Sequence, residues 1–421
     1  MHPPRPWQPG GGRRATARHQ GVPTPDQRGR GSIDHRGPLR SADGATLRVV
    51  HATSVHRWDD GRIFERQCRS LARHGHHVTL LAPGDGERVV DGVNVVGVGR
   101  ADVRRHRMTR LVARIGDAIE ALRPDVVVLH DPELLRLGFR RRRPAALVYD
   151  AHEDYAAQIR DKEWIPAVLR RLAGAAFGRL ELLATRRVSA VFCATPAIRR
   201  RFAADRSMLV LNRPLLADAP RLDVGPGTAR GAEPARVLYV GDLRLARGAR
   251  ALVEAMAIVN TTHDARLEIV GRLTPPSLCD ELAQLDGWAD TDVAGWRPRD
   301  EVYDALTRAD VAVLPFLALA NHVESQPNKL FEYMMMGLPV AATDFPLWIE
   351  LAGACSARFE GARSDDARSL AAAIVRLLDD PPTASQRRQA AERARACYSW
   401  EAIEDEYVRN VERVHREATP T

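Results

Sequence analysis

The chain has 421 residues, 45% of them hydrophobic, which is enough for two domains with separate cores and ordinary for a globular protein. Its 62 basic residues outnumber 54 acids to give a formal charge of +8, yet only Lys162 and Lys329 are lysines, so arginine supplies the excess. Five cysteines without Cys-x-x-Cys spacing, and apolar runs always cut by charge, exclude a disulfide scaffold, a structural zinc module and a membrane-spanning helix.

Residues 1–45 are rich in Pro, Gly, Arg and His and almost free of aliphatic side chains. Such a segment cannot bury enough surface to offset the entropy of ordering, so a disordered tail is expected, without the apolar core of a signal peptide. From residue 46 short apolar runs alternate with amphipathic stretches. Strands are predicted at Leu47–Ala52, Val78–Ala82, Val93–Val98, Val126–Leu129, Ala146–Tyr149 and Val188–Cys193, with helices at Ile63–Arg73 and Thr109–Leu122. A Pro/Gly/Asp/Ala-rich stretch at 215–234 reads as a linker between a first domain at 46–214 and a second at 235–396. The alternation resumes with strands at Val237–Val240, Leu267–Val270, Val311–Leu314 and Val340–Ala342, and helices at Ala249–Val259, Leu278–Leu285 and around Lys329. A final segment, 397–421, is helical. This order predicts an α/β protein with two doubly wound, Rossmann-like domains facing across a cleft, ligands lying at the carboxyl ends of the strands.

Three groups of residues carry chemistry. The segment Glu324-Ser-Gln-Pro-Asn-Lys-Leu-Phe-Glu332 starts a helix near Pro327, where the amides of Asn328, Lys329 and Leu330 would face an anion, and Glu332 lies about one turn beyond Lys329. Gly241-Asp-Leu-Arg244-Leu-Ala-Arg247-Gly248 follows a strand and opens a helix; Gly241 permits close backbone approach, and Arg244 and Arg247 place positive charge suited to a diphosphate. Two strands of the first domain end in polar clusters, His130-Asp131-Pro-Glu133 and Asp150-Ala-His152-Glu153-Asp154, which suit sugar hydroxyls, proton handling or metal ligation, metal being the least supported because no ligand spacing accompanies it. Asp290-Thr-Asp292 mimics an Asp-x-Asp motif but reads better as a turn before a short strand. Arginine clusters at 140–143, 170–171 and 199–201 suit an anionic membrane surface as well as a plain solvated face.

With these residues in view, the chain resembles the glycosyltransferases of GT-B fold, and among them the retaining family 4, from about Leu47 to Val414. The resemblance rests on the Glu-x7-Glu unit with Pro-Asn-Lys-Leu-Phe-Glu-Tyr-Met-Met-Met-Gly-Leu-Pro-Val, on His-Asp-Pro-Glu-Leu-Leu, on Tyr-Asp-Ala-His-Glu-Asp-Tyr, on Asp59-Asp-Gly-Arg-Ile-Phe and on Tyr398-Ser-Trp-Glu401, which in the family opens a helix crossing back to the first domain. It implies a nucleotide-sugar donor, no metal and no other cofactor. Glu332 would bind the ribose, and Glu324, His152 and His130 would surround the donor sugar. Gly241, Arg244, Arg247, Lys329 and Asn328 would hold the diphosphate, and Gly61, Arg62, Asp131 and Glu153 would line the acceptor side. One departure is that the family's usual Gly-Arg-Leu is Gly241-Asp242-Leu243 here, so Arg244 or Arg272 would supply the missing charge. The implied acceptor is a glycan, a lipid-linked molecule or a small molecule, in cell-envelope or exopolysaccharide synthesis. The implied location is cytoplasmic, with peripheral contact at the inner face of the plasma membrane and no nucleic-acid partner. A nucleotide-sugar 2-epimerase and a non-catalytic nucleotide-sugar-binding partner share the same architecture.

Overall fold

The computed structural model describes residues 45–418 apart from 102, 141–145, 161–165, 217, 218, 220–232 and 354. The expected tail except Ala45, most of the expected linker, Arg141 to Arg143 and Lys162 lie outside the described residues.

Continuous runs of Val, Leu and Ala form the inner strands, as a sheet covered on both faces requires. The first sheet contains β1 (Arg48–Ala52), β2 (His77–Ala82), β3 (Glu87–Val90), β4 (Val93–Gly97), β5 (Val126–Leu129), β6 (Ala146–Ala151), β7 (Ala190–Cys193) and β8 (Ser207–Leu209). Their spatial order is β3-β4-β2-β1-β5-β6-β7-β8, parallel throughout except where β3 pairs antiparallel with β4. The second sheet contains β9 (Ala235–Val240), β10 (Ala265–Val270), β11 (Thr291–Val293), β12 (Val311–Leu314), β13 (Val340–Thr343) and β14 (Phe359–Ala362), in the parallel order β11-β10-β9-β12-β13-β14. Both sheets reverse direction of winding beside their first strand, between β1 and β5 and between β9 and β12, and such switch points open a crevice at the strands' carboxyl ends. The motifs beginning at Gly241 and His130 follow the ends of β9 and β5, and Asp150 lies at the end of the neighbouring β6.

The sequence pattern misses β3, β8 and β14, and each is an edge strand. β3 is largely and β14 partly exposed, and both mix charged residues or glycine with apolar ones, so their composition does not set them apart from loops, whereas β8 opens the apolar run Met208 to Leu211, a legible signal that the pattern passes over. Asp292 falls inside β11, opposite Glu268, and not in the expected turn.

The first sheet is buried on both faces, and one face is covered by the C-terminal helix Glu404–Ala418, whose Tyr407, Val408, Val411 and Val414 join the core of β1, β2, β5 and β6. The expected crossing is therefore present. Its approach is pinned at Trp400, fully buried, whose indole N–H donates to Ser70 Oγ at 2.9 Å and whose amide donates to Pro214 O at 2.7 Å. The Glu401 carboxylate accepts from the Leu216 amide at 2.9 Å. Trp400 belongs to the Tyr398-Ser-Trp-Glu401 motif, so that motif works as a fastener between the chain's end and the start of the linker.

Candidate functional site

The crevice of the second sheet is built around Gly241, which follows β9 with φ +96°. A Cβ added there would lie 2.6 Å from Lys329 Nζ, so the absence of a side chain is what lets the ammonium approach the backbone. Lys329 is in the first turn of the helix Asn328–Met335, and its Nζ donates to Tyr239 Oη at 3.3 Å while lying 4.8 Å from that ring's centre. Burial, and then the neighbouring charge of Arg247, push Lys329 down to about 7. Burial likewise raises the Tyr239 phenol to about 12, which keeps it a neutral donor or acceptor. Arg247 donates to Asp242 O at 2.6 Å and stacks 5.6 Å from Phe316. Gly248, at φ +77°, begins the next helix, and an added Cβ would be 1.8 Å from Pro315 O; only glycine lets this turn close on the loop after β12. Arg244 and Arg272 are exposed on the same loops.

Pro327 is the residue before the Lys329 helix and not its first turn. The Leu330 amide donates to Pro327 O at 3.0 Å, so of the three amides expected to be open only those of Asn328 and Lys329 lack a partner among the described residues. The buried Asn328 Oδ1 also has no hydrogen-bond partner there. Glu332 accepts from Arg299 at 3.3 Å. Two cations, two amides and a carboxylate one turn away thus share one end of the second sheet.

The crevice of the first sheet is organised by Asp150, the penultimate residue of β6, which is fully buried. Arg62 grips it with Nε and Nη2 at 2.9 and 2.7 Å, Gln67 donates at 3.1 Å, and His130 Nδ1 lies 3.0 Å away. Burial opposes ionisation of Asp150, but Arg62 outweighs it and holds the carboxyl well below the usual range. His130 Nε2 meets His51 Nδ1 at 2.9 Å, and Tyr407 Oη meets His51 Nε2 at 3.4 Å. Neutral rings satisfy every atom in one direction only: Tyr407 O–H donates to His51, His51 Nδ1–H to His130, and His130 Nδ1–H to Asp150. Burial drives His51 well below the ordinary histidine value, in keeping with an uncharged ring. The C-terminal helix thereby reaches the first crevice through four hydrogen-bonded side chains.

His152 is the member of this cluster nearest solvent. Its Nδ1 is 3.1 Å from Asp150 O, and as the donor there it leaves Nε2 as a lone-pair nitrogen with no partner among the described residues. Burial lowers its pKa, which keeps that lone pair available near neutrality. His56 packs 5.2 Å from the His152 ring and sits between Asp60, at 3.5 Å, and Asp131, at 3.6 Å. Burial works against charge on His56, but these two carboxylates raise its pKa. Asp131 is buried and accepts from Thr53 Oγ1 at 2.8 Å and the Ser54 amide at 2.6 Å. Glu153 accepts from Gln158, and Gly61 is exposed beside the buried Arg62.

Three expectations change here. Arg62 forms a buried ion pair, its Nε and Nη2 taken by Asp150, leaving only Nη1 without a hydrogen-bond partner among the described residues. His130 and Asp131 are fully buried, His130 between His51 of β1 and Asp150 of β6 and Asp131 against the loop after β1, so they act on neighbours and not on solvent. His130, Asp150 and His152 offer ligand atoms within 4.8 Å of one another, a spacing a metal ion could use. However, both ring nitrogens of His130 and both oxygens of Asp150 are already engaged, and Arg62 supplies the positive charge that a cation would bring.

The two crevices are joined by Arg200, which donates to Glu324 Oε1 at 2.6 Å, both side chains being exposed. The helices Tyr155–Arg160 and Ala320–Val323 pack beside this pair. Sequence reasoning brings together Gly241, Arg247, Lys329, Asn328 and Glu332, and the structure adds Tyr239 and Phe316. The motifs include His130 and His152 but not His51, His56 or Tyr407, and Arg200 enters only as part of an arginine cluster; the polar residues inside apolar strands, His51 in β1 and Asp150 in β6, are the available signals for the buried chain.

Two protein-family models match: one described as Glycosyltransferase Family 4 over residues 61–208, and one described as Glycosyl transferases group 1 over residues 234–380. A glycogen synthase from Mycobacterium tuberculosis is 29% identical over 178 residues, covering 40% of this chain and 40% of its own length, so the chain matches less than half of that relative. Among solved structures, a sucrose-phosphate synthase from Thermosynechococcus elongatus superposes with a TM-score of 0.68 at 16% identity, covering 87% of this chain and 99% of the other. HepE from Anabaena, solved with UDP-glucose, superposes with a TM-score of 0.65 at 15% identity, covering 87% of this chain and 100% of the other. At these identities the structures establish a common fold.

Proposed function

We propose that this chain, which belongs to the family 4-like glycosyltransferases of GT-B fold, moves a sugar from a nucleotide-sugar donor to a glycan, lipid-linked or small-molecule acceptor with retention of configuration. The observation that carries the reading is the half-buried Lys329 ammonium laid over Gly241, with Arg247 beside it and Glu332 one helical turn away. A nucleoside diphosphate presents two negative phosphates and a ribose diol, and this arrangement offers matching groups to both parts. Glu332 would accept from the ribose hydroxyls. Lys329, Arg247 and the amides of Asn328 and Lys329 would meet the charge that grows on the departing diphosphate, which lowers the barrier to glycosyl transfer without a divalent ion. Arg244 and Arg272, exposed nearby, can close on the outer phosphate. The acceptor hydroxyl would attack from the face on which the diphosphate leaves. His152 Nε2 would accept a hydrogen bond from the sugar or acceptor, and Glu324 would bind the sugar once released from Arg200.

The reading is tested by a panel of UDP-, GDP-, ADP- and TDP-sugars, read by thermal shift and by release of nucleoside diphosphate, since a ligand of the folded state raises its apparent stability. One donor should stabilise the native chain, with Glu332→Ala and Arg247→Ala each losing most of that stabilisation at an unchanged ligand-free midpoint. Full donor turnover in both variants would overturn the reading. Release of free epimerised sugar from donor alone would instead support the epimerase.

A further inference from the structure

The helix Ala167–Thr185 is about 28 Å long by its 19 residues. It carries six of the sixteen large hydrophobic side chains exposed among the described residues: Val168, Leu169, Leu172, Leu180, Leu182 and Leu183. Val168 is 82% exposed, and Leu172 and Leu180 are 65% and 66% exposed. Leu169, Leu172, Leu180 and Leu183 fall at helical spacing on one stripe. A contiguous apolar stripe of this length is not a normal feature of a solvated surface.

Charge identifies the occupant. Arg171 and Arg179 are exposed beside the leucines, and Arg186 and Arg187 are exposed just past the helix end, where Arg187 stacks 5.3 Å from the exposed Phe139. The helix has a single acid, Glu181, and it is turned inward, taking Tyr149 Oη at 2.9 Å and Arg201 at 2.5 Å. The outer face is therefore apolar and cationic with no acid on it. A second copy of the chain docked face to face would set arginine against arginine, whereas an anionic lipid surface offers hydrocarbon to the leucines and phosphate to the arginines.

We propose that this helix is a membrane-docking element that lies in the plane of an anionic phospholipid bilayer. Its inner face fixes what docking would present. Gly174 packs so closely on the preceding helix that an added Cβ would be 2.8 Å from Ala156 O, and Phe177 lies 6.3 Å from Tyr155. Arg201 joins Glu181 to Asp154, two residues beyond His152. Docking would thus hold the His152 loop next to the bilayer, where a lipid-linked acceptor can reach it.

The test is co-sedimentation of the full chain with vesicles of phosphatidylcholine alone or with 30% phosphatidylglycerol. The native chain should bind the anionic vesicles, with binding falling as salt is raised. Leu172→Glu/Leu180→Glu and Arg171→Glu/Arg179→Glu should each weaken binding about tenfold or more while keeping the native thermal midpoint. Absence of binding to anionic vesicles at low salt, or native-like binding by both variants, overturns the proposal. So does a dimer in sedimentation velocity that Leu172→Glu/Leu180→Glu abolishes, because the face would then belong to a second copy. None of these readouts uses a nucleotide sugar, so they fail independently of the donor panel.

Discussion

The folded chain disfavours the charged form of Lys329 through burial and the neighbouring charge of Arg247. The Lys329 pKa of about 7 against 10.5 for an ordinary lysine means that below pH 7 the folded chain carries a partly desolvated charge that the unfolded chain solvates freely. Because the folded state binds fewer protons, the stability lost to this group is fully lost below about pH 7 and is regained as pH rises toward 10.5. Lys329→Met is therefore expected to raise the thermal midpoint at pH 6, with the gain shrinking by pH 10, and to remove donor stabilisation. An unchanged or lowered midpoint at pH 6 would contradict the assignment of burial as the cause. The same linkage predicts proton uptake on donor binding at pH 8, where the diphosphate recharges the amine, measured by calorimetry in buffers of differing ionisation enthalpy. Much of this site is legible in sequence because its parts are local: Glu324, Lys329 and Glu332 share one loop and helix, and Gly241 and Arg247 one turn. Arg62 shows what is not legible, since spacing places its Cα near the crevice while the direction of its side chain is set by Asp150, far away in the chain.

At the scale of elements, the Tyr407-His51-His130-Asp150 series ties the C-terminal helix to β1, β5 and β6, across sequence separations up to 356 residues. Periodicity cannot reveal such a series, because its members come from three strand segments and one amphipathic helix that only the tertiary fold makes neighbours. Removing an end of it differs from removing its anchor. Tyr407→Phe deletes one long hydrogen bond and should cost no more than about 1.5 kcal/mol. Asp150→Ala strands the buried Arg62 and should cost about 3–5 kcal/mol. Denaturant midpoints at constant slope distinguish the two, and equal costs would mean that the series is not anchored at Asp150. The inner strands are legible for the opposite reason: burial on both faces writes itself into composition, while the more exposed edges β3 and β14 leave no such trace.

For the whole molecule, the two crevices are held in their present relation by contacts of unequal strength. The C-terminal fastener is buried and apolar, so Trp400→Ala should cost about 3–5 kcal/mol and loosen the helix from the first sheet. The Arg200–Glu324 pair is different, because both partners are more than half exposed, and such pairs contribute about 0–1 kcal/mol. A contact that weak can hold Glu324 in a resting position and yield to a sugar that offers better hydrogen bonds. Arg200→Ala should then leave the thermal midpoint within error and strengthen binding of the sugar-bearing donor by up to about fivefold, since the ion pair no longer competes for Glu324. Binding of the nucleoside diphosphate alone should not change, because it lacks the sugar. Titration of both ligands against both proteins checks this: a gain for the two ligands alike would place Arg200 in competition with the phosphates, and a loss for the donor alone would make Arg200 part of the sugar site and not a latch across it.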